Sequence, residues 1–347
     1  MSESVPGPGL GRVMEAEMAE QPARLGALLS RRGEVAEQVR KAVPSPLAGT
    51  VLVARGSSDH AATFGAYLLE MATHRPVALA SPSVYTLYKA ETDFSGYLVI
   101  TVSQSGRTPE IVEMAEHARQ KGACTVAFTN DSGSPLARAA ELVVDLGAGE
   151  ERAVPATKTV TAELAAFVVV ASALGETGVT ERAAEELPGQ VAAVLADTAP
   201  AETLARWLVG ADRIATVARG LLYGAAQEVA LKLEETTARF TAAFSAADLR
   251  HGPIAMAASR PSVLAFAHPG PAEDDVTGLV VELRARGAAV RLAGPVEGGE
   301  LTWPGSAPEA LAPVLAVVRG QQLALALARL IGRDPDSPPG LSKVTVT

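Results

Sequence analysis

Short apolar runs alternate with stretches of helical period along nearly the whole chain. In the first half, runs of strand length lie at 50–54, 76–80, 97–102, 125–128 and 142–145. Helix-like stretches at 61–72, 84–89, 109–119 and 134–140 lie between them. The second half repeats the alternation, with strands predicted at 214–217, 262–267 and 289–292 and helices at 224–237, 277–285 and 311–330. Continuous apolar strands spaced by helices predict an α/β fold with parallel sheets covered on both faces. Before the first strand, residues 11–42 read as a helical arm, because Met14, Met18, Leu25, Leu28 and Leu29 approximate one apolar face among charges. Residues 158–197 read as long connecting helices, with 180–187 charged and exposed. The pattern divides the chain into an arm (1–45), two α/β subdomains (46–200 and 201–331) and a tail (332–347). That tail carries Pro335, Pro338, Pro339 and Gly340, so it cannot be regular helix.

The turn after the run at 97–102 is Ser103-Gln104-Ser105-Gly106-Arg107-Thr108, and Pro109 opens the next helix. Its backbone N–H groups, its hydroxyls and the positive end of the helix dipole all suit a phosphate. The same residue types also make an ordinary N-cap. A weak internal repeat favours the phosphate. Val53-Ala54-Arg55-Gly56 recurs 164 residues later as Val217-Ala218-Arg219-Gly220, and that offset carries Gly106 to Gly270. The second copy of the turn reads Ala267-His268-Pro269-Gly270, where Ala267 has no hydroxyl and Pro269 no N–H. A purely structural cap would not need hydroxyls in one copy only. Another Gly/Ser turn, Arg55-Gly56-Ser57-Ser58, follows the first strand at the edge where open α/β sheets bind ligands.

Composition narrows the classes. A chain of 347 residues with 48% hydrophobic content can bury a large core. The net charge of -9, with no basic stripe, argues against a nucleic-acid partner. The single cysteine, Cys124, sits in an apolar run and reads as a core residue in a reducing compartment. The N-terminus shows no secretory pattern, and the apolar stretch 164–174 is short of the roughly 18 residues that span a bilayer. The expectation is a cytoplasmic protein with no membrane partner. No G-x-G-x-x-G or Walker A pattern occurs, and the histidines show no metal-ligand spacing, so no cofactor and no metal are expected.

The region 228–251 is rich in ionisable groups. Glu228, Lys232 and Glu235 fall at helical spacings and share one face, which fits either a solvated helix or a site. His251-Gly252-Pro253 fixes a side chain that titrates near neutrality in a rigid turn.

Taken in order, six segments resemble the sugar isomerase (SIS) family. They are Ala54-Arg55-Gly56-Ser57-Ser58, Ser103 to Thr108, Val154-Pro155-Ala156-Thr157-Lys158, Leu231 to Glu235, Asp248 to Pro253, and Leu341-Ser342-Lys343-Val344-Thr345-Val346. The likeness is strongest to the isomerase portion of glucosamine-6-phosphate synthase and to free-standing deaminases of that type. It implies two flavodoxin-like SIS subdomains and a homodimer with shared active sites. It further implies that Ser103, Gln104, Ser105 and Thr108 hold a sugar phosphate with Ser57 and Ser58 alongside, and that Val154 and Ser342 line the sugar through their backbone. Glu235 matches the carboxylate that shuttles a proton between C1 and C2, His251 the ring-opening histidine, Lys343 the lysine that forms a Schiff base, and Lys232 a supporting lysine. Such chemistry suits these types, since aldose–ketose exchange needs an acid, a base and a carbonyl-trapping amine.

Two departures from the family pattern bear on the reaction. About fifty residues precede the first loop, and the second residue is Ser2, so no glutamine-hydrolysing domain with an N-terminal cysteine is expected. Pro155, Ala156 and Ser342 stand where the synthase has Ala, Ser and Ala. The leading expectation is isomerising deamination of glucosamine 6-phosphate, with a hexosamine phosphate as the small-molecule partner. Alternatives are isomerisation or dehydration of another (N-acetyl)hexosamine 6-phosphate, or a non-catalytic sugar-phosphate sensor. The tail is expected to act as a lid, with Lys343 buried beside Val344-Thr345-Val346 and its amine thereby neutral.

Overall fold

The structure is a computed structural model and describes residues 9–343. It forms two compact units, each discontinuous in sequence: residues 23–150 with 158–185, and residues 9–22 with 151–157 and 186–343. These units cut across the contiguous ranges 1–45 and 46–200.

The first unit holds five strands, β1 (Gly49–Val53), β2 (Val77–Leu79), β3 (Tyr97–Val102), β4 (Cys124–Thr129) and β5 (Leu142–Asp145). They form one parallel sheet in the order β2-β1-β3-β4-β5, with Val51 opposite Val99 and Ile100 opposite Val126. β1, β3 and β4 are buried almost throughout, as continuous apolar runs require of central parallel strands. One face is covered by the helix Pro109–Gln120, whose Ile111, Met114, Ala115 and Ala118 pack with Val53 and Val99. Elsewhere in the unit, the helices Ser57–Thr73 and Lys158–Leu174 pack closely because Gly65 gives Phe167 room that a Cβ would occupy. Cys124 is buried, and that burial pushes its thiol up to about 11, which makes it an inert core residue.

The second unit holds β6 (Ile214–Ala218), β7 (Thr241–Ser245), β8 (Ser262–Phe266) and β9 (Ala289–Ala293), parallel in the order β7-β6-β8-β9. The helix Tyr223–Thr237 packs against the helix Ala312–Leu330, where Gly320 lets Val229 approach the backbone. The stretch Glu309–Leu330, which contains the helix predicted at 311–330, is long and apolar enough to cross a membrane, with a mean hydropathy of 1.5. It is 94% buried inside the protein, so its apolarity is that of a core helix.

The arm is three helices, Arg12–Ala19, Gln21–Ser30 and Arg32–Ala42, and its five apolar markers are buried as expected. The C-terminal carboxylates brace its first helix. Asp334 accepts from the Gly11 N–H at 2.9 Å, and Asp336 accepts from the Val13 and Met14 N–H groups, both at 2.8 Å. These bonds satisfy the otherwise orphaned donors of a helix N-terminus and set negative charge on its positive end.

Candidate functional site

In the first unit the strand order places β1 and β3 side by side with their following helices diverging, the arrangement in which open α/β sheets leave a crevice at the carboxyl ends of the strands. Both Gly/Ser turns lie there. Ser103 is buried, and Gln104, Ser105 and Thr108 are half-buried. Gly106 adopts φ +59°, and a Cβ on it would run into Ser134 and Thr129, so glycine is required twice over. The turn is fastened from behind. The Gln104 carbonyl accepts from the Asn130 N–H at 3.1 Å and from the Thr129 hydroxyl at 3.2 Å, and the Gly106 carbonyl accepts from the Leu136 N–H. Thr108 is the N-cap of the helix Pro109–Gln120, and its hydroxyl makes no capping bond. The Ser105 hydroxyl accepts only a 3.3 Å contact from the Arg107 N–H. The two nearby arginines are already neutralised, Arg107 by Asp131 at 2.9 Å and Arg55 by Glu110 at 2.8 Å. An anion meeting this turn would be offered its hydroxyls and backbone N–H groups.

The adjoining turn divides. Gly56 adopts φ +58° and Ser57 opens the helix Ser57–Thr73. Ser58 points inward, where its hydroxyl donates to Glu163 at 2.8 Å in a buried contact. In this arrangement the Ser58 hydroxyl is engaged with Glu163.

The second unit's equivalent turn is filled. His268 is buried, its Nε2 bonds to the Ala307 carbonyl at 2.9 Å, and its Nδ1 accepts from the Trp303 indole at 3.4 Å. Burial lowers its pKa and keeps the imidazole neutral. That accounts for a turn without hydroxyls.

What the second unit does carry is a buried charge cluster on the helix Tyr223–Thr237. Lys232 and Glu228 are each 1% exposed, with Lys232 Nζ 3.3 Å from Glu228 Oε1, and Lys232 also donates to Glu235, which is 18% exposed. A solvated helix face is thereby excluded. Burial alone would lower the lysine, but Glu228 and Glu235 outweigh it and hold the ammonium charged. Burial raises the Glu235 carboxyl, opposed by Lys232 and Lys343 and reinforced by Glu228. A raised, partly accessible carboxyl beside a fixed ammonium is what a proton-transferring base requires.

Lys343 is not as deeply buried as its flanking sequence leads one to expect. It is 20% exposed and ion-paired at 3.0 Å to Glu151, a residue the sequence reading passed over. Residues 344–347, on which the expected apolar flank falls, lie outside the described residues. Ser342 is exposed and Val154 half-buried in a bend between Glu151 and Thr157. His251 lies exposed on the Gly252-Pro253 turn, and among the described residues its imidazole makes no hydrogen bond or ion pair with the lysine cluster. No group of three or more His, Cys, Asp or Glu among the described residues has the geometry to hold a metal.

The fold and this turn define a flavodoxin-like α/β protein built on two parallel sheets. Residues 50–173 and 208–293 match the SIS domain family, and the chain belongs to it. It is 32% identical to the glutamine–fructose-6-phosphate aminotransferase (isomerizing) of Symbiobacterium thermophilum over 97% of this chain, and spans 59% of that protein's length. Among solved structures, one from Silicibacter pomeroyi DSS-3 described as a phosphosugar isomerase has TM-score 0.86 and 31% identity, covering 93% of this chain and 99% of that one. The glucosamine-6-phosphate deaminase of Thermotoga maritima shares the fold at TM-score 0.77 and 23% identity, covering 96% and 99%.

Proposed function

We propose that the protein is an aminosugar-phosphate enzyme that converts glucosamine 6-phosphate and water to fructose 6-phosphate and ammonia. The observation that carries this reading is the Glu228–Lys232–Glu235 cluster, because simple binding has no use for a raised, accessible carboxyl buttressed by a buried lysine. The relationship to isomerising aminotransferases and to a phosphosugar isomerase supports the substrate class.

In this reading the 103–108 turn holds the 6-phosphate through Ser103, Gln104, Ser105 and Thr108, with Ser57 beside it. Val154 and Ser342 contribute backbone contacts to the sugar. His251, contributed by a second copy in a homodimer, protonates the ring oxygen as the ring opens. Glu235 then removes the C2 proton and returns it to C1, which turns the 2-amino aldose into a 2-imino ketose. Hydrolysis of that imine releases ammonia. Lys232 stays charged and holds the Glu235 carboxylate in place. Lys343 traps the ketose carbonyl as a Schiff base once its ammonium has lost a proton.

The test is to incubate the protein with a panel of gluco- and galacto-configured hexosamine 6-phosphates, with free and N-acetylated amines. Ammonia, fructose 6-phosphate and ultraviolet-absorbing dehydration products are then followed. Equimolar ammonia and fructose 6-phosphate from glucosamine 6-phosphate is the expected result. Turnover of an N-acetylated sugar without ammonia, or binding with no turnover of any member, overturns it.

A further inference from the structure

Glu151 is an enclosed carboxylate, with a side chain 0% exposed. Oε1 accepts from the Thr157 N–H at 2.8 Å and from its hydroxyl at 3.1 Å, and Oε2 accepts from Lys343 at 3.0 Å. The Thr157 carbonyl in turn accepts from Gln321 at 3.1 Å, tying the bend to the buried helix Ala312–Leu330. From the other side Glu17, itself buried, accepts from the Arg152 and Ala153 N–H groups. Two carboxylates therefore staple the 151–157 bend, and one of them also holds the only cation that the C-terminal tail brings to it among the described residues.

We propose that Glu151 is a positioning residue: its buried carboxylate docks the Lys343 ammonium and so registers the C-terminal tail against the bend that carries Val154. A carboxylate taken out of water needs its charge answered. Lys343 brings a positive charge to 3.0 Å from Glu151, so docking of the tail and burial of the carboxylate stabilise one another. The contact also restricts a long, flexible amine to one place while its tip stays partly accessible. The Lys343 charge acts on the Glu235 carboxyl, so the docked amine lies within electrostatic reach of the base. The consequence for turnover rests on the Schiff-base reading of Lys343 given above; the dock itself does not.

The first arm of the test uses no sugar. Lys343 in the full-length protein is labelled by reductive methylation with formaldehyde and cyanoborohydride, and its rate is read by peptide mass spectrometry. Glu151→Gln should speed labelling about tenfold, because a charge-assisted hydrogen bond is replaced by a neutral one. Glu151→Asp, which keeps the charge but draws it back by one methylene, should fall between the two, and it carries the test alone if Glu151→Gln does not fold. Equal labelling rates in all three overturn the dock. The second arm traps Lys343 with borohydride and fructose 6-phosphate. Glu151→Gln should lower the rate of adduct formation and kcat by about tenfold with KM within about twofold, a split that reports lost positioning of a reacting group. Faster labelling with no adduct at Lys343 even in the unaltered protein keeps the dock and sinks the Schiff-base reading. Adduct formation at the same rate in all three proteins, with equal labelling, keeps the Schiff base and sinks the dock.

Discussion

Replacing Lys232 with methionine removes a buried ammonium and keeps most of the side-chain volume, so the loss is electrostatic. Two carboxylates remain, Glu228 at 1% exposure and Glu235 at 18%, both formerly answered by the same Nζ. Breaking a buried pair by deleting one partner costs about 3–5 kcal/mol, mainly through the charge left behind. At roughly 2–4 °C per kcal/mol, Tm should drop by about 6–20 °C. The assay is urea unfolding followed by tryptophan fluorescence, because both tryptophans, Trp207 and Trp303, belong to the unit that carries Lys232. The loss must also depend on pH. Burial already raises the Glu235 carboxyl above 4.5 and Lys232 pulls against it, so without the lysine the rise is larger. The folded variant then holds a proton that the unfolded chain has lost, and its stability falls as pH rises through that window. The destabilisation is therefore full at neutral pH and shrinks as pH falls toward 4.5. The doubly neutral variant Lys232→Met/Glu228→Gln should recover part of it. A loss below about 1 kcal/mol, or one of equal size at pH 4.5 and pH 7, refutes the argument that the buried charge balance sets the cost.

Other expectations follow from the same geometry. Ser105→Ala and Thr108→Ala should each weaken phosphosugar binding by about 1–3 kcal/mol while leaving stability alone, as measured by calorimetry; equal affinity for the sugar with and without its phosphate would sink the turn's role. The acid limb of kcat/KM should lie above pH 4.5, because Glu235 must be ionised to act and burial raises it. A limb at or below 4.5 would assign the base elsewhere. Mixing inactive Glu235→Gln with inactive His251→Ala should restore activity through the one mixed site that carries neither lesion, and no recovery under demonstrated subunit exchange would place His251 in its own chain's site.

The fold was legible because apolar runs and helical periods carry it: β3 and β5 begin and end where the runs at 97–102 and 142–145 do. What escaped has a physical reason. β7, Thr-Ala-Ala-Phe-Ser, has no Val or Ile and sits at a sheet edge, so it carries no strand-like apolar run. The helix Ala199–Leu208 begins at an Ala-Pro pair that reads as a break, although proline is at home in a first turn. At the candidate site, the position of the 103–108 turn between strand and helix was legible because glycine, small hydroxyl residues and a following proline mark such a turn. The Ser58 contact was not, since its partner Glu163 lies 105 residues away. Glu151 and Glu17 gave no signal either; a carboxylate becomes a staple only through the backbone it meets, and spacing along the chain does not encode that.

The helix Arg12–Ala19 donates its N-terminal hydrogen bonds to Asp334 and Asp336, residues made more than three hundred positions later. On the ribosome the early helix emerges with its first amides unanswered, and short helices are marginal without such support. Residues 23–150 and 158–185, which supply the first unit's sheet and helices, have all left the exit tunnel before Asp334 is made. The other unit must wait for the chain to reach Asp336, and the bend gripped by Glu17 waits with it. The strands that flank the 103–108 turn are thus made well before the carboxylates that complete the first arm helix.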